Sequence, residues 1–107
     1  MDEIAEKVNK LVEDYVHHVQ QHIPVKKAIL FGSHAKGNYR EDSDVDVAIF
    51  SGDFIGKNAI DVNSFLLSLA RNYKEFCIEP IGFDENELNQ NPFVQEILMT
   101  GKEIKLR

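Results

Sequence analysis

The amino-acid sequence predicts a single α/β (α+β) domain, a small mixed β-sheet covered by helices. Apolar residues recur at helical spacing near the N-terminus, and the later apolar runs have the length of strands. The predicted order is α, β, β, α, β, α, with a short strand at the end, and such alternation is typical of a sheet packed against helices. With 107 residues, 43% of them hydrophobic, we expect one domain over residues 1–107.

The first two elements are a helix and a buried strand. Apolar side chains recur every three or four residues in the N-terminal segment, which predicts an amphipathic helix over residues 3–21. Pro24 ends this helix, because proline cannot donate the backbone hydrogen bond that a helix needs. The apolar run of residues 25–31 then predicts a strand that ends at the Gly32-Ser33 step.

The second predicted strand carries two aspartates. It covers residues 44–50, and the two-residue period of a strand places Asp44, Asp46, Ala48 and Phe50 on one face. Two carboxylates therefore project side by side from one strand. About 12 residues separate this strand from the first one, and the sequence leaves the direction in which the two strands pair open.

The rest of the chain alternates between loops, helices and strands. In order, we predict a loop over residues 51–60, a helix capped by Asp61 that runs to about Tyr73, a strand over residues 76–83, a helix that opens at Asn91-Pro92 and closes at Gly101, and a short strand over residues 103–106.

The composition excludes several classes of function. Eighteen acidic residues against 12 basic ones give a net charge of −6, which disfavours a long nucleic acid as partner, because proteins that bind one neutralise its phosphates with basic residues. A nucleotide remains compatible, because a cation held by carboxylates supplies positive charge. Cys77 is the only cysteine, and we interpret it as a core residue. The sequence has no apolar run of membrane-spanning length and no signal-peptide pattern, so we expect a cytoplasmic protein.

The segment from Gly32 to Asp46 carries the chemistry. A Gly-Ser step directly after a buried strand, followed by small residues at a helix start, can turn backbone N–H groups and the Ser33 hydroxyl toward phosphate oxygens. Further along, Asp44 and Asp46 can share Mg²⁺, a cation that prefers oxygen ligands and keeps positions for substrate phosphates. Together the two features predict a nucleoside triphosphate site.

On these residues the chain resembles the nucleotidyltransferase superfamily typified by DNA polymerase β, and it is most similar to the minimal nucleotidyltransferases. The resemblance covers almost the whole chain. It rests on the spacing of Gly32, Ser33, Gly37, Ser43, Asp44 and Asp46. It implies the nucleotidyltransferase fold, metal ions held by Asp44 and Asp46, and triphosphate contacts from Gly32 and Ser33. It also implies a third carboxylate from a neighbouring strand.

Glu79 is the candidate for that third carboxylate. It is the sole acidic residue in the apolar run of residues 76–83, and outside a site it would be a costly unpaired buried charge. The alternative, a surface residue on an edge strand, is favoured by Pro80. Glutamate is one methylene longer than the aspartate that is commoner in relatives, which would alter the metal geometry.

Four further residues complete the candidate nucleotide-binding set. Lys36 stands where many relatives have arginine, and it would offer the phosphates a point charge. Arg40 is a second candidate phosphate partner, with a solvated loop residue as the alternative. Gly37 and Ser43 belong to the same set through their place in the motif.

The predicted reaction is transfer of a nucleoside monophosphate, AMP from ATP, to an acceptor hydroxyl with two Mg²⁺ ions. Asp44, Asp46 and Glu79 would be both catalytic and metal-binding. By resemblance, minimal nucleotidyltransferases often work beside a small helical HEPN protein, an RNase-like toxin, and some adenylylate its tyrosine, which implies an antitoxin. The alternatives are transfer to RNA, which the acidic charge disfavours, transfer to a small molecule such as an antibiotic, and a catalytically weak module that blocks its partner sterically.

Overall fold

Four strands form one mixed sheet in the computed structural model, which describes residues 2–40 and 42–107. The strands are β1 (Lys27–Phe31), β2 (Val45–Ser51), β3 (Ile78–Asp84) and β4 (Lys102–Glu103), in the spatial order β3-β2-β1-β4. β2 pairs antiparallel with β1 and parallel with β3, and β4 pairs antiparallel with β1. The predicted small mixed sheet is confirmed, and the first two strands, whose direction the sequence left open, are antiparallel.

The helices of the described residues are α1 (Glu3–Gln20), α2 (Ser33–Lys36), α3 (Ala59–Ala70) and α4 (Pro92–Thr100), with short 3₁₀ helices at Gly52–Phe54 and Glu85–Asn89. The prediction that Asp61 caps α3 is wrong. Asn58 is the N-cap, and its side-chain oxygen accepts hydrogen bonds from the N–H groups of Ile60 (2.7 Å) and Asp61 (3.3 Å). Within the described ranges, no helix combines the length and the apolar character that crossing a membrane requires.

The strand ends also differ from their predicted positions. β1 begins at Lys27 and β3 at Ile78, each two residues later than predicted. β2 begins one residue later, so that Asp44 immediately precedes it. β4 has two residues because its pairing reaches only Ile29 and Leu30. These are the residues at which pairing with a neighbouring strand starts or stops, which local sequence does not specify.

The two faces of the sheet are covered by different helices. Alternate residues of β2 divide between two apolar clusters. Val45, Val47 and Ile49 pack in the cluster that holds the apolar side chains of α1 and α3, whereas Ala48 and Phe50 pack in the cluster that holds Val94 and Ile97 of α4. Asp46 therefore shares the α4 face of the sheet.

Close contacts fix α1 and α3 on the opposite face. The hydroxyl of Tyr15, fully buried in α1, donates a hydrogen bond of 2.8 Å to the carbonyl oxygen of Leu66 in α3. Burial and the neighbouring Tyr73 raise the pKa of Tyr15, so the hydroxyl keeps its proton at neutral pH. At Gly82 of β3 a Cβ atom would overlap Cγ1 of Val62, which shows how closely α3 lies on the sheet.

Candidate active site

The turn between β1 and α2 depends on a glycine. Gly32 adopts φ 75° and ψ −152°, a backbone conformation that residues with a Cβ atom rarely take. A Cβ atom at Gly32 would overlap Oδ2 of Asp46 and lie 3.2 Å from its Cγ. The missing side chain therefore lets the Asp46 carboxylate lie against the backbone where α2 begins. The N–H groups of Ala35 and Lys36 donate to the carbonyl oxygen of Gly32 at 3.1 and 3.0 Å. The N–H groups of Ser33 and His34 precede this pairing, which leaves them available to an anion.

The sheet register brings the acidic residues together. Asp46 is paired with Phe31 of β1 on one side and with Glu79 of β3 on the other. One oxygen each from Asp44 and Glu79 and the Sγ atom of Cys77 lie within 4.8 Å of one another. Two adjacent parallel strands therefore present three carboxylates beside the start of α2.

These carboxylates repel one another. Burial raises the pKa of Asp46, the negative charges of Glu79 and Asp44 raise it further, and His34 acts in the opposite direction. A cation would remove this repulsion, and oxygen donors are the ligands that hard divalent cations such as Mg²⁺ prefer. The donor set therefore fits a divalent metal site, with the Gly32 turn, which we call the phosphate cradle, beside it.

Comparison with known proteins decides the family. Residues 13–107 match the family model described as "Polymerase beta, Nucleotidyltransferase". The chain belongs to this nucleotidyltransferase family. The resemblance to the DNA polymerase β superfamily is thereby confirmed, and with it the prediction of a nucleotidyltransferase enzyme. Membership of this family implies a nucleoside triphosphate as substrate.

Two individual proteins are similar to this chain. A protein of Methanocaldococcus jannaschii named "Putative protein adenylyltransferase MJ0604" is 49% identical over 43 residues, which are 40% of this chain and 42% of that protein. The chain thus matches less than half of that relative's length. A crystal structure described as a "putative nucleotidyltransferase" from Sulfolobus solfataricus superposes with a TM-score of 0.70 at 21% identity, over 92% of this chain and 80% of that one. This second likeness shows the shared fold.

The nucleotidyltransferase holds its candidate third carboxylate in an unexpected environment. The premise that Glu79 is buried is wrong, because β3 is the edge strand of the sheet and the side chain of Glu79 is exposed. Its carboxylate nevertheless lies beside that of Asp44. Both features suggested for Glu79 by the sequence, the edge strand and the acidic cluster, therefore occur together.

The candidate phosphate-binding residues lie around α2. Gly37 ends this helix with φ 83° and donates from its N–H to the Ser33 carbonyl at 3.0 Å. Lys36 is exposed and lines the same surface pocket as Gly32. Arg40 is also exposed, and its N–H donates to the hydroxyl oxygen of Ser43 at 2.8 Å. The Ser43 side chain therefore shapes the loop that leads to Asp44.

Two residues of the site were not anticipated. Cys77, predicted to lie in the core, is exposed because it precedes β3, where Ile78 takes the buried position instead. Burial, a hydrogen bond to Asp44 and the nearby Glu79 raise the pKa of its thiol. His34, to which the sequence gave no role, is buried in α2. Its place directly after the Gly-Ser step was the one available signal.

Proposed function

We propose that this nucleotidyltransferase transfers AMP from ATP to a tyrosine hydroxyl of a partner protein, a HEPN-type toxin, with release of pyrophosphate, and thereby acts as an antitoxin. The observation that carries the proposal is the cluster of Asp44, Asp46 and Glu79 beside the Gly32 turn. A phosphoryl-transfer site needs such a combination of cation ligands and phosphate-facing N–H groups. The proposed compartment is the cytoplasm, a reducing setting that suits a single exposed thiol.

Asp44, Asp46 and Glu79 are the proposed ligands of two Mg²⁺ ions. When bound, Mg²⁺ would lower the pKa of the acceptor hydroxyl and neutralise charge on the phosphates. The protein's own contribution is position: β2 and β3 hold the carboxylates in register, and Gly32 leaves room for Asp46. Gly32 and Ser33 would hold the triphosphate through backbone N–H groups. The remaining members of the proposed nucleotide-binding set are Lys36, Gly37, Arg40 and Ser43.

A protein side chain is the acceptor that this surface favours. A groove of about 430 Å³ between α3 and β3 is lined by Glu79 and Cys77, by apolar residues such as Ile60 and Leu67, and by Asn63 and Ser64. Apolar walls suit a tyrosine ring better than a sugar-phosphate chain, and the net charge of −6 opposes RNA. The name of the Methanocaldococcus relative, which specifies adenylylation of protein, supports the same acceptor class.

The test is mass spectrometry of a purified HEPN-type partner after incubation with ATP and Mg²⁺. We expect a gain of one AMP per modified tyrosine with the native enzyme and no gain with the double variant Asp44→Asn/Asp46→Asn. A matched control is Glu13→Gln/Asp14→Asn, which removes the same charge from the exposed surface of α1 and should retain activity. If the Asp44→Asn/Asp46→Asn variant neutralises the toxin without any change in its mass, the protein acts by steric blocking and not by adenylylation. If labelled AMP appears only on a small molecule, the acceptor is that small molecule and not a protein.

A further inference from the structure

His34 occupies a tightly enclosed position between aromatic rings. Its side chain in α2 is 4% exposed. The imidazole stacks on Tyr39 with ring centroids 4.6 Å apart, and the ring of Phe76 is nearly perpendicular to the imidazole, with centroids 6.4 Å apart. A ring enclosed in this way has little room to turn.

One ring nitrogen of His34 connects α2 to the residue before Asp44. Nε2 lies 3.3 Å from the carbonyl oxygen of Ser43. A carbonyl oxygen can only accept, so Nε2 carries the hydrogen and donates. On the other side of Asp44, the N–H of Val45 donates to the carbonyl of Cys77 at 2.8 Å. The backbone that carries Asp44 is therefore held from both sides, and His34 provides the hold on the side of α2.

Packing alone does not account for the imidazole. Nδ1 of His34 is buried and has no hydrogen-bond partner among the residues that the structure describes. An apolar ring would fill the space between Tyr39 and Phe76 without leaving a polar nitrogen unpaired, which is costly in a buried position. The bond from Nε2 to Ser43 is thus the contribution that distinguishes histidine from phenylalanine here.

We infer that His34 is a positioning residue for nucleotidyl transfer, which holds the Ser43 carbonyl and thereby sets the backbone from which Asp44 reaches the metal. The inference rests on the proposed role of Asp44 as a metal ligand. It connects the two halves of the site physically, because the same short helix that begins at the phosphate cradle orients a metal-binding carboxylate. Residues that orient metal ligands without touching the metal typically change metal affinity or activity 10–100-fold when they are replaced.

Two substitutions separate the hydrogen bond from the packing. His34→Phe keeps an aromatic ring between Tyr39 and Phe76 and removes the donor, whereas His34→Gln keeps a donor at the position of Nε2 and removes the ring. The probe is Mn²⁺ alone, with free Mn²⁺ measured by electron paramagnetic resonance on the intact protein. We expect the dissociation constant to rise about 10-fold or more in His34→Phe and to stay within about 3-fold of the native value in His34→Gln. The value of kcat should follow the same order.

Several results would overturn the inference. If His34→Phe binds Mn²⁺ as the native protein does, or if His34→Gln is the weaker binder, the ring acts by packing. The tautomer gives a test that requires no variant: ¹⁵N NMR of labelled histidine should show the hydrogen on Nε2, and its absence there would remove the donor. Asp44→Asn separates this failure from that of the proposed site. Mn²⁺ binding that survives Asp44→Asn contradicts the metal assignment itself, whereas binding lost in Asp44→Asn and kept in His34→Phe contradicts only the role of His34.

Discussion

Replacing Gly32 with alanine should displace the Asp46 carboxylate and lower kcat, and it should separately lower the free energy of unfolding. The new Cβ atom would overlap Oδ2 of Asp46 and lie 3.2 Å from Cγ. To restore an ordinary van der Waals separation, the carboxylate must move by about 1 Å. Misplacement of a reacting group by that distance can cost about 100-fold in rate, so we expect kcat to fall by about two orders of magnitude.

The cost to stability has a separate origin. Gly32 has φ 75° and ψ −152°, and alanine in this region is strained by about 1–3 kcal/mol. Gly37 provides the matched control, because it also has a positive φ, 83°, but a Cβ atom there meets nothing within 4 Å. Gly37→Ala should therefore lose about 1–2 kcal/mol through backbone strain alone, with Asp46 undisturbed.

Urea denaturation and Mn²⁺ titration of both variants measure the two effects. Both variants should unfold at lower urea concentration, whereas only Gly32→Ala should lose Mn²⁺ affinity. The reasoning is refuted if Gly32→Ala keeps the native Mn²⁺ affinity, or if Gly37→Ala loses as much of it. In the first case the Asp46 carboxylate can move without consequence, and in the second case strain in α2 is the cause.

Three further predictions follow from the contacts and pKa shifts. Burial raises the pKa of Asp46, and the negative charge of Glu79 raises it further, so the folded protein favours the protonated carboxyl. The protonated carboxyl contributes its full stabilisation of the fold below the ordinary aspartate pKa, and this contribution is lost as pH rises through the raised pKa. In metal-free buffer, Asp46→Asn should therefore melt at a higher temperature than the native protein at pH 7 and show no advantage near pH 3, and equal melting temperatures at pH 7 would contradict the shift. Tyr15→Phe should lower the free energy of unfolding by about 1 kcal/mol in urea denaturation, because it removes the hydroxyl that bonds to Leu66. Cys77 is exposed and should react completely with uncharged 4,4′-dithiodipyridine in the native state, and a thiol that reacts only after denaturation would contradict this exposure. Burial, Asp44 and Glu79 raise the pKa of the thiol, so the reaction at pH 8 should be faster in Glu79→Gln.

The parts of the fold that depend on local pattern were predictable. The apolar spacing before Pro24 gave α1 to within one residue, and the Asn91-Pro92 start with Gly101 at the end gave α4 equally well. Strand alternation placed Asp46 on one face with Ala48 and Phe50. Ala48 and Phe50 do pack together on the α4 side, and Asp46 lies two residues before Ala48 in β2 and so shares that face. Each of these features is determined by residues within a few positions along the chain.

The parts that depend on distant segments were not predictable. An apolar run predicts a strand but not its place in a sheet. In the sheet that the described residues form, β3 is an edge strand, and Glu79 is exposed there. The same position explains the error at Cys77, which lies just before pairing begins. The role of His34 depends on Ser43 and Phe76, which only the folded chain brings to it. The motif therefore identified the acidic residues, and the fold was needed to find what surrounds them.

The two faces of β2 differ in composition, and this difference explains how the domain stays folded although its carboxylates repel one another. Residues that point toward α1 and α3 form the larger apolar cluster, so they supply most of the burial that stabilises the fold. On the opposite face, α4 covers Ala48 and Phe50, and the strand reaches partly exposed Asp46 and exposed Asp44 beyond that cover. Repulsion between carboxylates is weakened there by solvent and destabilises only the end of one strand. Binding of a divalent cation at the proposed site would remove that repulsion and so link stability to metal loading, and we expect the metal-free protein to be the less stable form at neutral pH.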